Sequence, residues 1–163
     1  MREDWIECNL LDIVKIEYGK GLPTSKLIPD GYNVFGANGV IGKHSVYNTE
    51  YSEVLISCRG AASGKINLSP PKCFITNNSL ILKRKSETLI DKLYLYYNLI
   101  SVDKSNIITG SAQPQVTIDK AQYLKIYLSP LPEQRAIVKK LESLFSSLDA
   151  GVADLKKAQQ QLK

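Results

Sequence analysis

The feature that most constrains this chain lies toward its C-terminal end. Ile137, Leu141, Leu144, Leu148, Gly151, Leu155, Ala158 and Leu162 recur at alternating spacings of four and three residues. A 3.5-residue repeat keeps one apolar stripe along one side of a helix, which is the pattern of a coiled-coil seam. Pro130 and Pro132 mark the boundary before it. Pro132 followed by Glu133 suits a first helical turn, where a missing N–H costs nothing and a negative charge faces the positive end of the helix dipole. Residues 131–163 are therefore expected to form one long helix, roughly 45 Å for about thirty residues. A solvated helix of that length has little reason to fold alone, so the stripe calls for a partner helix.

Residues 1–130 have a different texture and are expected to form a separate globule. Residues Trp5 to Cys8 alternate weakly, and Asn9 is placed to cap a short helical turn over Leu10 to Val14. Strands are expected at Lys15–Tyr18, Tyr32–Phe35, Val54–Cys58, Lys65–Leu68, Cys73–Ile75 and Ser79–Lys83. Turn formers separate them, the strongest being Asn38-Gly39. The period then changes: Leu89, Leu93, Tyr96 or Tyr97 and Ile100 share one face of a helix expected over Thr88–Ile100. A strand at Asn106–Thr109, an irregular stretch over Gly110–Gln115, a brief helix from Ile118 and a last strand at Leu124–Leu128 complete the pattern. The fold class is α+β: a mixed sheet of many short strands with a few short helices, followed by one long C-terminal coiled-coil helix.

Composition bounds the chemistry. With 44% apolar residues the chain can fill a core. No run approaches the ~18 apolar residues of a membrane span, and the start MREDWIEC has no apolar signal core, so the expected location is the cytoplasm with no membrane partner. Three cysteines and a single histidine show neither CxxC nor His-x3-5-His spacing, which argues against a structural metal site and for reduced core thiols. Lys and Arg number 21 against 16 Asp and Glu, a balance that permits polyanion binding without requiring it.

No catalytic pattern holds along the sequence. Gly36-x-x-Gly39-x-x-Gly42 has the wrong spacing for a dinucleotide loop, and no helical pattern follows it. Gly60-Ala-Ala-Ser-Gly64-Lys65 has three residues between its glycines where a phosphate loop has four, and Ile66 stands where the magnesium-binding hydroxyl belongs. Ser69-Pro70-Pro71-Lys72 lacks the stacking aromatic of the tetrapeptide by which amino-methyltransferases hold a base. Carboxylates are scattered, without the acidic pair and lysine of a nuclease. The chain is read as a non-enzyme that binds no cofactor itself.

What remains favours nucleic acid. Asn38, Lys43, His44, Arg59, Ser63, Lys65, Asn77 and Asn78 sit in or beside glycine-rich turns. Arg and Lys pair with guanine, Asn and Gln with adenine, and Ser with several partners, while glycine lets a loop backbone approach phosphate. Each residue alone is more often a solvated loop residue; the cluster is more telling than its members. Lys83-Arg84-Lys85 is a further candidate for phosphate contact or a solvated strand end.

These residues also carry a family resemblance. Trp5–Val14, Gly36–Gly42, Leu55–Lys65, Phe74–Leu80, Thr109–Thr117 and Leu131–Glu142 resemble the specificity subunit of Type I restriction–modification systems over nearly the whole chain. Thr109-Gly-Ser-Ala-Gln-Pro-Gln-Val-Thr117 is the most specific local match. The resemblance implies a target-recognition domain over 1–130 that reads one half of a bipartite double-stranded DNA site, and a spacer helix over 131–163. It implies a modification subunit that supplies AdoMet-dependent adenine methylation and a restriction subunit that supplies ATP-driven translocation and cleavage. Family members usually carry two recognition domains and two antiparallel helices, and this chain has one of each. It is then either a half subunit that forms a homodimer through its C-terminal helix or a fragment of a longer chain. The competing reading is a protein-interaction module that docks a larger assembly through that helix and contacts no DNA.

Overall fold

A computed structural model describes residues 4–161. In chain order it contains strand β1 (Ile6–Asn9), helix α1 (Leu10–Ile13), strands β2 (Val14–Tyr18), β3 (Tyr32–Phe35), β4 (Val40–His44), β5 (Val54–Ser57), β6 (Ile66–Leu68), β7 (Phe74–Ile75) and β8 (Ser79–Arg84). Helix α2 (Lys92–Ser101), strands β9 (Ile108–Thr109) and β10 (Gln115–Val116), helix α3 (Ile118–Ala121), strand β11 (Lys125–Leu128) and helix α4 (Leu131–Gln161) follow. Short 3-10 turns at Thr24–Lys26, Gly60–Ala62 and Ser105–Ile107 lie between them.

The central element is an antiparallel sheet in the order β2-β8-β5-β6. Both of its faces are covered, which explains the uninterrupted apolar runs in β5 and β8. Val54, Ile56, Leu80 and Leu82 point into a large core with Leu10, Ile13, Tyr94, Leu95 and Leu99 from α1 and α2. Leu55 and Ile81 point the other way, into a smaller core with Phe35, Cys73 and Ile75. The second core is closed by the sheet β4-β3-β7, in which β3 and β7 run parallel. Two-stranded pairings β1-β11 and β9-β10 finish the globule.

Most expected elements are present, with instructive shifts. Asn9 precedes α1, where the Asp12 carboxylate accepts from the Asn9 backbone N–H at 2.8 Å. Helix α2 begins at Lys92 instead of Thr88 because Asp91 caps it, its carboxylate accepting from the N–H groups of Leu93 (2.9 Å) and Tyr94 (3.0 Å). Strand β4 was not expected, and β10 begins at Gln115, inside the stretch read as irregular.

Helix α4 spans 31 residues and divides into two parts. Its first turns are fixed to the globule. Gln134, fully buried, accepts from Asp91 N–H (2.9 Å) and donates to the carbonyls of Leu89 (3.1 Å) and Ser129 (2.7 Å). Trp5 Nε1 donates to Glu133 Oε2 at 3.0 Å. Ile137 and Val138 pack on the main core, and Tyr97 donates to Glu142. Phe145 still packs against the Tyr97 ring, and beyond it the helix leaves the globule: Leu144, on the outer side of that last turn, is 52% exposed, Leu148 63% and Leu155 72%. Leu162, the last residue of the expected stripe, lies outside the described residues. Among the described residues no helix is long and apolar enough to cross a membrane.

Candidate nucleic-acid interface

One end of the central sheet gathers loops from five parts of the chain. Register puts the ends of β2 and β5 beside the starts of β8 and β6: Tyr18 opposes Leu80, Ser57 opposes Ser79 and Ile56 opposes Ile66. The loops that leave these ends are Gly19–Gly21, Arg59–Lys65 and Thr76–Asn78. Lys20 bridges to Thr76, and Asn77 N–H donates to Lys20 O at 3.1 Å. Cys58 N–H donates to Asn78 O at 2.9 Å, and the Cys58 thiol donates to Asn77 O at 3.4 Å. Burial pushes that thiol's pKa up, against the pull of the Arg59 charge, so it stays a neutral donor.

The β3–β4 hairpin delivers a fourth loop to this end. Its turn closes through Gly36 N–H to Gly39 O (2.8 Å), and it is tied down by hydroxyls of the central sheet: Ser79 Oγ donates to Gly36 O at 2.8 Å and Ser57 Oγ donates to Ala37 O. Asn38 is left exposed at the tip. The fifth loop, Gly110–Gln115, is stitched to the Arg59 loop. Arg59 bridges to Gln115, Gly60 N–H donates to Pro114 O (3.0 Å) and Ser63 Oγ donates to the same carbonyl (2.7 Å). Two glycines make this junction possible. Gly64 (φ 85°) would place a Cβ 2.8 Å from Ile108 Cδ1, and Gly110 (φ 83°) would place one 2.5 Å from Gln113 O. Neither position tolerates a side chain without movement.

Charge then sorts the surface. The five loops carry Lys20, Arg59 and Lys65, all exposed, and no Asp or Glu. Among the described residues, none of the three cations forms an ion pair or a side-chain hydrogen bond. An open cleft of about 430 Å³ lies between Arg59, Gly60, Gln113, Pro114 and Gln115. The opposite end of the sheet has Glu53 and Glu87 beside its cations, and there charge is consumed internally. Lys83 pairs with Glu17 (2.7 Å), Arg84 with Glu87 (2.9 Å), and Lys85 Nζ donates to Leu11 O (2.6 Å). Lys15 at 2.6 Å also pairs with Glu17, and these two lysines, as hydrogen-bond donors and as charges, hold its carboxyl below the usual range.

Six of the eight residues singled out from sequence meet at the loop end: Asn38, Arg59, Ser63, Lys65, Asn77 and Asn78. Lys43 and His44 do not join them. They occupy the open end of the β3–β4 hairpin, away from the Asn38 tip. Lys43 pairs with Asp30 at 3.1 Å, and His44 bonds the Lys26 carbonyl at 3.2 Å and packs edge-on against Phe74. Lys20, Gln113 and Gln115 are the members that residue-by-residue reading missed. The signal was present in the two motifs that contain them, Gly19-Lys20-Gly21 and Thr109–Thr117.

Residues 2–158 match the family model described as Type I restriction modification DNA specificity domain. Over 158 residues the chain is 23% identical to the Type I restriction enzyme EcoprrI specificity subunit of Escherichia coli, covering 90% of this chain and 39% of that protein. Among solved structures it is similar to a Type I restriction–modification S subunit from M. genitalium, with TM-score 0.79, 20% identity, and coverage of 90% of this chain and 40% of that one. It is also similar to the HsdS subunit from Thermoanaerobacter tengcongensis, with TM-score 0.66, 22% identity, and coverage of 92% and 39%. The likeness to these structures shows the fold, and the chain spans about two-fifths of the length of each relative.

Proposed function

The chain belongs to the family of Type I restriction modification DNA specificity domains, and from that premise we propose that it reads one half of a bipartite duplex DNA site. The observation that carries this reading is the loop end of the central sheet, with three cations unpaired among the described residues, exposed amides and no carboxylate in five converging loops. Such a surface attracts phosphate through Lys20 and Lys65 and presents Arg59, Asn38, Asn77 and Asn78 to base edges. The chain performs no chemistry in this account. A modification subunit brings AdoMet and methylates adenine, and a restriction subunit brings ATP-driven cleavage, all in the cytoplasm where the DNA lies.

The exposed part of α4 is the assembly element of the proposal. The proposed pairing is of two copies, antiparallel as the family resemblance implies. With the two-fold axis between Asp149 and Ala150, Leu148 meets the partner's Gly151 and Leu144 meets the partner's Leu155. One layer then sets leucine against glycine and the other sets leucine against leucine. A two-fold dimer presents two copies of the loop end, so the site it reads is a palindrome interrupted by a fixed gap.

The direct test is Arg59→Ala, measured on the recognised duplex and on random duplex. A base-reading arginine loses about 1–3 kcal/mol on the recognised site and little on random DNA. Equal losses on both would reassign Arg59 to phosphate, and no loss on either would remove it from the interface. Binding that ignores salt would favour the interaction-module reading over this one, since phosphate neutralisation always releases counterions.

A further inference from the structure

The proposed recognition surface also carries information about which bases it reads. Its side-chain inventory is lopsided. The five loops present five amides, Asn38, Asn77, Asn78, Gln113 and Gln115, against one arginine, Arg59. Gln113, Gln115 and Asn38 are exposed, and the amide groups of all five form no hydrogen bond within the described residues, so their donors and acceptors remain available. Beside Asn38, Val40 and Ile41 are each 51% exposed on the hairpin. No carboxylate is present in any of the five loops.

Base edges in the major groove discriminate among these groups. An amide donates to N7 and accepts from N6 of adenine in a bidentate pair. Apolar groups contact the thymine methyl, a guanidinium takes O6 and N7 of guanine, and a carboxylate accepts from N4 of cytosine. With Lys20 and Lys65 assigned to phosphate as above, the surface has several partners for A·T pairs, one guanidinium for guanine and none of the carboxylate type for cytosine. Placement reinforces the composition. Arg59 and Gln115 oppose each other across one bridge and line the same cleft as Gln113, so the guanidinium and two amides address neighbouring base pairs.

We infer that the half-site is dominated by A·T pairs, with a single G·C pair read by Arg59 next to an adenine read by Gln113 or Gln115. This rests on the DNA-recognition reading above and goes beyond it by fixing base composition.

The experiment is selection of a randomised duplex library by the full chain at moderate salt, repeated with Arg59→Ala, Gln113→Ala and Gln115→Ala. The expected result is a motif with more A·T than G·C pairs in each half. Arg59→Ala relaxes the preference at the one G·C position by about 5- to 150-fold, and a glutamine variant relaxes it at an adjacent A·T position. A motif in which G·C pairs predominate, or one in which Arg59→Ala relaxes an A·T position, overturns the inference and leaves DNA recognition standing. The absence of any enriched motif, together with salt-independent retention of DNA, overturns the recognition reading and this inference with it.

Discussion

Replacing Gln134 by leucine tests how the long helix is joined to the globule. The substitution keeps the side chain's volume and removes three hydrogen bonds, those with Asp91 N–H, Leu89 O and Ser129 O. Ser129 is buried, so its carbonyl is left without a partner at about 1–3 kcal/mol. The other two groups lie where water reaches more easily, Leu89 being 39% exposed, and each loses about 0.5–1.5 kcal/mol. Burial of the new methyl groups offsets part of this, leaving a net loss of about 2–4 kcal/mol. Urea unfolding followed by far-UV circular dichroism gives the total. The sole tryptophan, Trp5, bonds the neighbouring Glu133 and reports the junction by fluorescence. Protein concentration is held constant, because association through α4 would add to apparent stability. An exposed neighbour, Arg135→Ala, should stay within about 0.5 kcal/mol of wild type. A Gln134→Leu chain as stable as that control would refute the claim that the buried amide fixes α4.

Three further outcomes are expected. Leu144→Glu/Leu148→Glu, on the exposed part of α4, should turn a sedimenting dimer into a monomer, since each fully buried leucine contributes about 1.5–3 kcal/mol; a wild-type monomer at tens of micromolar, or an unaffected double mutant, would place the interface elsewhere. Gly110→Ala forces a Cβ to 2.5 Å from Gln113 O at φ 83°, so it should cost about 1–2 kcal/mol of stability and most site-specific binding; wild-type specificity would show that the Gln113 loop plays no part in reading DNA. Burial raises the pKa of the Cys58 thiol and pushes that of Cys73 up to about 11, so at pH 8 a disulfide reagent should modify both only as fast as the protein opens; rapid modification of either without denaturant would contradict the buried placement.

The parts of this structure that were legible in the sequence are those whose physics is local. The 3.5-residue repeat of α4 depends on side-chain spacing alone. The runs Val54–Ser57 and Ser79–Leu82 were readable as strands because β-branched and apolar residues fill both faces of a doubly covered sheet. Strand β4 was not legible. Val40 and Ile41 are adjacent and both half exposed, and Gly39 and Gly42 break any alternation, so its pairing with β3 is set by the hairpin and the second core. The same division holds at the interface. Arg59, Ser63, Lys65, Asn77 and Asn78 stood out because turn glycines or a strand entry flank them. Lys43 looked equivalent, and only the fold brings Asp30 against it. Lys20 owes its place to a bridge with Thr76, and Gln115 to one with Arg59; both pairings join segments far apart in sequence. Gln134 reads as one polar residue on a mostly polar helix, and its burial follows from how α2 begins and β11 ends beside it.

The central claim is that the loop end of the β2-β8-β5-β6 sheet holds duplex DNA. Its most direct test is the slope of log binding constant against log salt, for wild type and for Lys20→Ala/Lys65→Ala. Each phosphate contact contributes about 0.9 to that slope. The account predicts a salt-dependent wild type and a double mutant whose slope is shallower by about 2, with the preference for the recognised sequence retained through Arg59. A double mutant with the wild-type slope, or a wild type whose binding does not change with salt, would contradict it.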